Sequence, residues 1–332
     1  MGELLLGVDG GNSKTVAALA RPDGTVAGVG SGGRADIHNA PSPDEGVGEI
    51  VRAVATALEA AAAHPADLGA ATFSLAGADW PEDFSFLRQE LVRRLELTFE
   101  PSIVNDAIGA IRGGTDDGTG VAVVCGTGGA VGARNRRGDV YHHGFWPDGT
   151  GAAALGERAL AAVWRADLGL GPETSLTGRA VTRWGCSDAL ELLHAFTRLD
   201  SPSIPVSEKA LFAETVLDEA AAGDAVAVEL VTAAGTRLGD YARVSAARVG
   251  LLEGGFPLVL CGGVLRHPSP LLRETILARA PEGRPVSAIA APIVGAVLLA
   301  ADGAGVRLDP DALGATLLSW ATRNDDDAGA PR

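Results

Sequence analysis

Two aspartates and three glycine-rich bends hold the residue types that could do chemistry in this sequence. The bends, at Gly10-Gly11, at Gly126 to Gly129 and at Gly262-Gly263, each close an apolar run of strand character. Backbone amides reach a phosphate only where no side chain intervenes, and successive amides in a turn form an anion-binding nest. With 45 glycines in the chain, any one bend alone is better explained as a tight turn. Three together point to a bound nucleotide. The first bend, D-G-G-N-S-K-T from Asp9 to Thr15, adds hydroxyl, amide and ammonium donors. Asp106 follows the run P-S-I-V-N and precedes A-I-G-A-I. An aspartate in that place caps a helix or accepts a proton in a cleft, and one residue can do both. Asn105 beside it orients the carboxylate or makes the turn.

The elements that must position these residues follow from the pattern around them. A strand leads to Asp9, and beyond the bend come the apolar run Val16 to Ala20, a P-D-G-T turn at Pro22 to Thr25 and another strand-like run to Gly30. The bend therefore lies between extended segments. A Walker A loop or a Rossmann fingerprint needs strand, glycine loop and then helix, and neither pattern is present at this bend. The same layout returns at Gly120 to Arg134, with an R-R-G-D turn at Arg136 to Asp139 and V-Y-H-H-G-F beyond it. The two copies lie about 110 residues apart, which predicts a duplicated unit opening each of two domains.

Between the copies, Asp44 to Ala63 spaces Val47, Ile50, Val51, Val54 and Leu58 as a helix does, with Asp44 as its cap; Pro81 to Leu97 starts on Pro with acids beside it. Ala70 to Leu75 reads as extended. A helix through Ala107 to Arg112 runs out in G-G-T-D-D-G-T-G, the expected domain boundary. Ala152 to about Leu252 reads as mostly helical, interrupted at Ser201 to Pro205. A strand at Pro257 to Val264 and a capped helix from about Ser269 follow. Asp309 to Trp320 reads as an amphipathic helix folding back on the first domain, and a disordered tail ends the chain.

In order and spacing these motifs resemble the actin-like, Hsp70-like sugar kinase superfamily, and within it the family that joins N-acetylglucosamine kinases to the BadF/BadG/BcrA/BcrD ATPases. G-V-D-G-G-N-S-K-T is similar to that family's first phosphate motif, V-V-C-G-T-G-G-A-V-G to its second and L-V-L-C-G-G-V to its adenosine motif. V-N-D-A at Val104 to Ala107 resembles the strand end bearing the catalytic Asp, and S-L-A-G-A-D at Ser74 to Asp79 a segment near the sugar. The match runs from Gly7 to about Leu299.

The resemblance implies an α/β fold of two actin-like (ribonuclease H-like) domains with an interdomain cleft: residues 1–113 with 302–322, then 114–301, then a tail over 323–332. It implies a cytoplasmic ATP-dependent kinase acting on a hydroxyl of a small sugar, N-acetylglucosamine or a related amino sugar or hexose, with ATP and Mg2+ as cofactors. Asp106 is then the catalytic base. Asp9 sits beside the metal, commonly through water, since Mg2+ keeps much of its hydration. Gly10, Gly11, Asn12, Ser13, Lys14 and Thr15 line the phosphates, Gly126, Thr127 and Gly128 face them from the other domain, and Gly262 and Gly263 take the adenosine. Gly77, Asp79 and Asn105 lie near the sugar.

The sequence departs from the family where the sugar is held. In place of a G-D-E-G-S-like segment it has P-D-G-T-G-A at Pro147 to Ala152, where Asp148 keeps the acidic position and the following Glu is absent. The sugar-contact Asn region reads G-G-R-A-D-I-H-N, from which Arg34, Asp36, His38 or Asn39 could contact substrate or form a surface loop. His142-His143 has no Cys or acid at ligand spacing, so a strand edge is expected there and not a metal site.

Bulk composition narrows the partners. The 332 residues carry a formal charge of -15 and no long Lys/Arg run, so nucleic acid is not expected as a partner. Lys occurs only at Lys14 and Lys209. The longest apolar window, around Ala291 to Ala300, contains Pro292 and Gly295 and is about half the length a membrane span needs, so no membrane partner is expected. The N-terminus shows no secretion signal. The cysteines, Cys125, Cys186 and Cys261, are odd in number and far apart, as in a reducing compartment. Two other functions stay open: an ATPase activating a partner enzyme through an iron-sulfur cluster, which needs a suitable Cys pair, and a non-catalytic nucleotide or sugar sensor. A homodimer is also left open.

Overall fold

The structure is a computed structural model that describes residues 3–143, 149–199, 204, 206–287 and 292–328. Its first sheet starts with an antiparallel meander of β1 (Leu4–Gly10), β2 (Thr15–Ala20) and β3 (Val26–Gly32). Two strands then join β1 in parallel through helical crossovers: β4 (Leu68–Leu75) after helix α1 (Pro43–Ala60), and β5 (Ser102–Asn105) after α2 (Pro81–Arg94), giving the order β3-β2-β1-β4-β5.

The second sheet repeats this plan. The meander of β6 (Gly120–Cys125), β7 (Gly129–Arg134) and β8 (Val140–His143) is extended in parallel from β6 by β9 (Phe256–Cys261) and β10 (Gly283–Ser287). The order β10-β9-β6-β7-β8 mirrors that of the first sheet, as the repeated strand-bend-strand pattern predicts.

The near-continuous apolar run of β1 reflects burial on both faces. Leu4, Leu6 and Val8 pack with Val47, Ile50 and Val54 of α1, whereas Leu5 on the opposite face meets Ala300 and Ala301 of helix α10 (Pro292–Gly303). Burying each such aliphatic side chain contributes roughly 1.5–3 kcal/mol. The C-terminal helix α11 (Pro310–Ala328) returns to this sheet, seating Leu313 and Leu317 with Ala18, Ala20 and Val29. Helix α3 (Asp106–Gly114) lies between the halves, with Ile108 and Ile111 against Ala122 and Val259 of the second sheet. The second half's core is otherwise built by α4 (Ala152–Asp167), α5 (Leu176–Trp184), α6 (Ala189–Thr197), α7 (Val206–Ala221), α8 (Ala225–Arg248) and α9 (Leu271–Arg279).

Several local details differ from the sequence reading. Ser42, not Asp44, caps α1 by accepting the Glu45 amide. Asn105 caps α3, so Asp106 is the first helical residue and its carboxylate is not spent as the cap. Helix α9 starts at Leu271 with Pro270 before it and no side-chain cap. Within the apolar window, Pro292 to Ala300 belong to helix α10, which packs on the first sheet. Helix α11 runs on through 323–328, the first part of the expected tail. Among the described residues no helix is long and apolar enough to cross a membrane.

Candidate active site

Register aligns the candidate residues along one edge. Gly10 pairs with Leu75, and Leu75 with Asn105, so β1, β4 and β5 end together and hand over to the first bend, the Gly77–Asp79 turn and α3. The carboxyl ends of parallel strands are where open α/β sheets place ligands. In the second sheet, Val124 pairs with Cys261, which brings the bends after β6 and β9 side by side.

The bends from the two halves meet. Ser13 Oγ lies 2.7 Å from Thr127 Oγ1. The first bend is closed by the Gly11 amide on the Lys14 carbonyl at 3.0 Å. The second is closed by the Gly126 amide on Gly128 O at 2.9 Å, and the first amides of α4, those of Ala152 and Ala153, donate to Gly126 O and Thr127 O. Gly262 has φ +100 and a Cβ there would stand 2.4 Å from Cys125 O, so only glycine fits. Asn12, Ser13, Lys14, Thr127, Gly128 and Gly263 thus border one gap. Gly10 is buried against Leu75 and Ala35 and shapes the bend from beneath. Thr15 is fully buried and its hydroxyl donates to Gly33 O at 2.7 Å.

Asp9 and Asp106 face each other electrostatically. Burial, then the charge of Asp106, pushes the Asp9 carboxyl up to about 7, with Lys14 opposing. Burial raises Asp106 to about 6; the Ala107 amide pulls the other way and Asp36 adds to the rise. Oδ1 of Asp106 is buried and has no hydrogen-bond partner among the described residues. Such an acceptor is costly to leave unmade and is poised for a ligand hydroxyl.

Asn105 is 1% exposed and its side chain is fully engaged: Nδ2 donates to Ala78 O at 3.3 Å and to Asp79 Oδ1 at 3.1 Å, while Oδ1 accepts the Ala107 amide. It therefore positions the residues on either side of it. Asp79 is pushed up to about 7 by burial first, then by Asp106 and Asp36, with His38 opposing. Gly77 allows the turn to rest on the 36–37 backbone, since a Cβ would lie 2.8 Å from the Ile37 amide and 3.0 Å from Asp36 Oδ1.

The departing segment Arg34 to Asn39 is no loose surface loop. Asp36 is 4% exposed and accepts from the His38 amide and from Asn39 Nδ2 at 2.8 Å. Arg34 donates through Nε to Asn12 O and through Nη1 to Asn39 O, both at 2.7 Å, tying the first bend to this segment. Asp83, which the sequence does not single out, and His142, expected only as a strand edge, complete the wall with His38. His38 Nε2 lies 2.9 Å from Asp83 Oδ2, which also accepts the Asp79 and Trp80 amides. His142 of β8 reaches across from the second half, with Nδ1 3.8 Å from Asp79 Oδ1 and its ring edge-on to Phe84. Only the tertiary fold reveals these pairs. Asp148 lies outside the described residues.

The sequence model of the BadF/BadG/BcrA/BcrD ATPase family matches residues 6–300. The chain belongs to that family. This family member is 25% identical over 313 residues to an N-acetyl-D-glucosamine kinase of Dictyostelium discoideum, covering 90% of the chain and 98% of the relative. It is 28% identical over 179 residues to an N-acetylmuramic acid/N-acetylglucosamine kinase of Clostridium acetobutylicum, covering 52% of the chain and 58% of the relative. Its fold is shared with a candidate N-acetylglucosamine kinase from Chromobacterium violaceum, at a TM-score of 0.69, 23% identity and coverage of 90% and 99%. A ROK family glucokinase from Streptomyces griseus, solved with glucose and AMPPNP, shares it at a TM-score of 0.54, 18% identity and coverage of 90% and 100%. The two-domain actin-like architecture is thereby established for this ATPase-family chain.

Proposed function

We propose that the chain is an ATP-dependent kinase transferring the γ-phosphoryl group to a hydroxyl of a small sugar, N-acetylglucosamine or a related amino sugar or hexose. The observation that carries this is the unpartnered, buried Oδ1 of Asp106, whose charge reaches Asp9 beside the first glycine bend, where the second bend meets it. A carboxyl held at about 6 is ionised near neutral pH yet basic enough to draw the proton from a substrate hydroxyl. In-line transfer asks mainly for positioning and charge stabilisation, which the bends and Lys14 would supply. Gly262 and Gly263 would let the nucleoside lie against backbone. Family membership and the two kinase relatives support the same reading.

The donors fit a hydrated Mg2+: Asp9 is a carboxylate crowded by Asp106, and a cation beside it would favour its charged form. The metal would neutralise phosphate charge. For the activating-ATPase alternative, Cys125 and Cys261 are buried with thiols pushed up to about 12 by desolvation, unlike exposed thiolate ligands of a shared cluster.

ATP consumption measured across a panel of sugars tests the proposal. Sugar-dependent turnover that is lost in Asp106→Asn supports it; turnover indifferent to sugar, or none with any sugar, contradicts it.

A further inference from the structure

The pocket beside Asp106 is lined by carboxylates with little to balance them. Asp36 and Asp83 are buried, the side chain of Asp79 is 7% exposed, Asp79 lies within electrostatic reach of Asp36, Asp83 and Asp106, and Asp106 within reach of Asp36. The basic side chains turned toward them are histidines. His38 is committed to Asp83, and His142 is held toward its neutral form by burial. Arg34 is anchored on two carbonyls. Oδ1 of Asp79 accepts from Asn105 at 3.1 Å.

We propose that this pocket selects sugars by charge, accepting uncharged and cationic hexosamines and refusing sugars that carry a carboxylate, with Asp79 as the specificity-determining residue. The inference rests on the sugar-kinase reading above and deepens it. A carboxylate entering the pocket meets like charges at short range, balanced among the described residues by histidines already set against acids, in surroundings where water screens poorly. A hydroxyl or an ammonium instead gains a carboxylate acceptor at Asp79 and lessens the mutual repulsion of the acids. The relative from Clostridium acetobutylicum, whose name includes N-acetylmuramic acid, would differ from this chain in that respect.

The test uses the full chain with ATP and four sugars: N-acetylglucosamine, glucosamine, N-acetylmuramic acid and the uncharged amide of N-acetylmuramic acid. The amide keeps the bulk of the lactyl group and removes its charge. The expected result is a kcat/KM for N-acetylmuramic acid at least about tenfold below that of its amide, with Asp79→Asn narrowing the gap and weakening glucosamine relative to N-acetylglucosamine. A purely structural role for Asp79 would lower all four together. Equal use of the acid and its amide, or a gap that Asp79→Asn leaves unchanged, overturns the proposal. Should no sugar be phosphorylated, the kinase reading fails, and calorimetric binding of the same four sugars still decides the charge question: tighter binding of the amide than of the acid supports it, equal binding refutes it.

Discussion

Ser13 Oγ and Thr127 Oγ1 stand 2.7 Å apart although 114 residues separate them along the chain. Each belongs to a glycine bend at the end of a first strand, one per sheet, so this hydrogen bond joins the two halves where the bends meet. Exchanging this hydroxyl pair for contacts with a polyanion fits closure of two halves around a nucleotide.

Thr127→Ala is expected to raise KM for ATP by roughly fivefold, the worth of one hydrogen bond of about 1 kcal/mol, while KM for the sugar stays within a factor of two. Steady-state kinetics with each substrate varied in turn checks this. A change confined to the sugar KM would place Thr127 elsewhere.

Asn105→Ala removes a helix cap and the anchor of Asp79 together. The expected cost is about 1–3 kcal/mol of stability, from the lost cap and from a less well-partnered Asp79, with kcat lowered as Asp106 loses its setting. Thermal melts beside kinetics measure both. Asp106→Asn, by contrast, takes a crowded buried charge away and is expected to leave Tm unchanged or higher. A Tm drop in Asp106→Asn matching that of Asn105→Ala would show that Asp106 is structural.

Asp79 predicts a pH dependence of stability. Its folded value, about 7, lies above the ordinary carboxylate range, so over about pH 4 to 7 the folded state keeps a proton that the unfolded chain has lost. Its contribution to stability is therefore fully present at the acid end and declines as pH rises through about 7. Asp79→Asn removes that decline, so Tm of the variant relative to wild type should rise between about pH 5 and pH 8. A flat difference across that range would contradict the assignment.

Much of the frame was legible in the sequence because it is locally encoded. Strand, bend and strand around Asp9 and again around Cys125 follow from apolar runs and glycines, and their duplication predicts two similar sheets. Helix α10 escaped because it is buried nearly all round, so Ile293 to Leu298 show no helical stripe. Strand β10, G-R-P-V-S, carries a proline and lies at a sheet edge, where period-two patterning is weak. The pocket wall escaped for a different reason. His38 with Asp83 and His142 with Asp79 are pairs made only by tertiary packing, 45 and 63 residues apart in sequence, and no spacing rule links them. Asn105 and Thr15 look like ligand groups by type, and only the fold shows the buried partners that hold them.

The central claim is that Asp106 accepts the proton of the attacking hydroxyl. Sugar-dependent ATP turnover by Asp106→Asn, beside wild type and with both substrates saturating, tests it most directly. The account predicts kcat lowered by about a hundredfold or more, with KM for the sugar within a few fold, because an amide cannot take the proton yet keeps the shape. Turnover retained to within about fivefold would contradict it and leave the orphaned Oδ1 without a catalytic role.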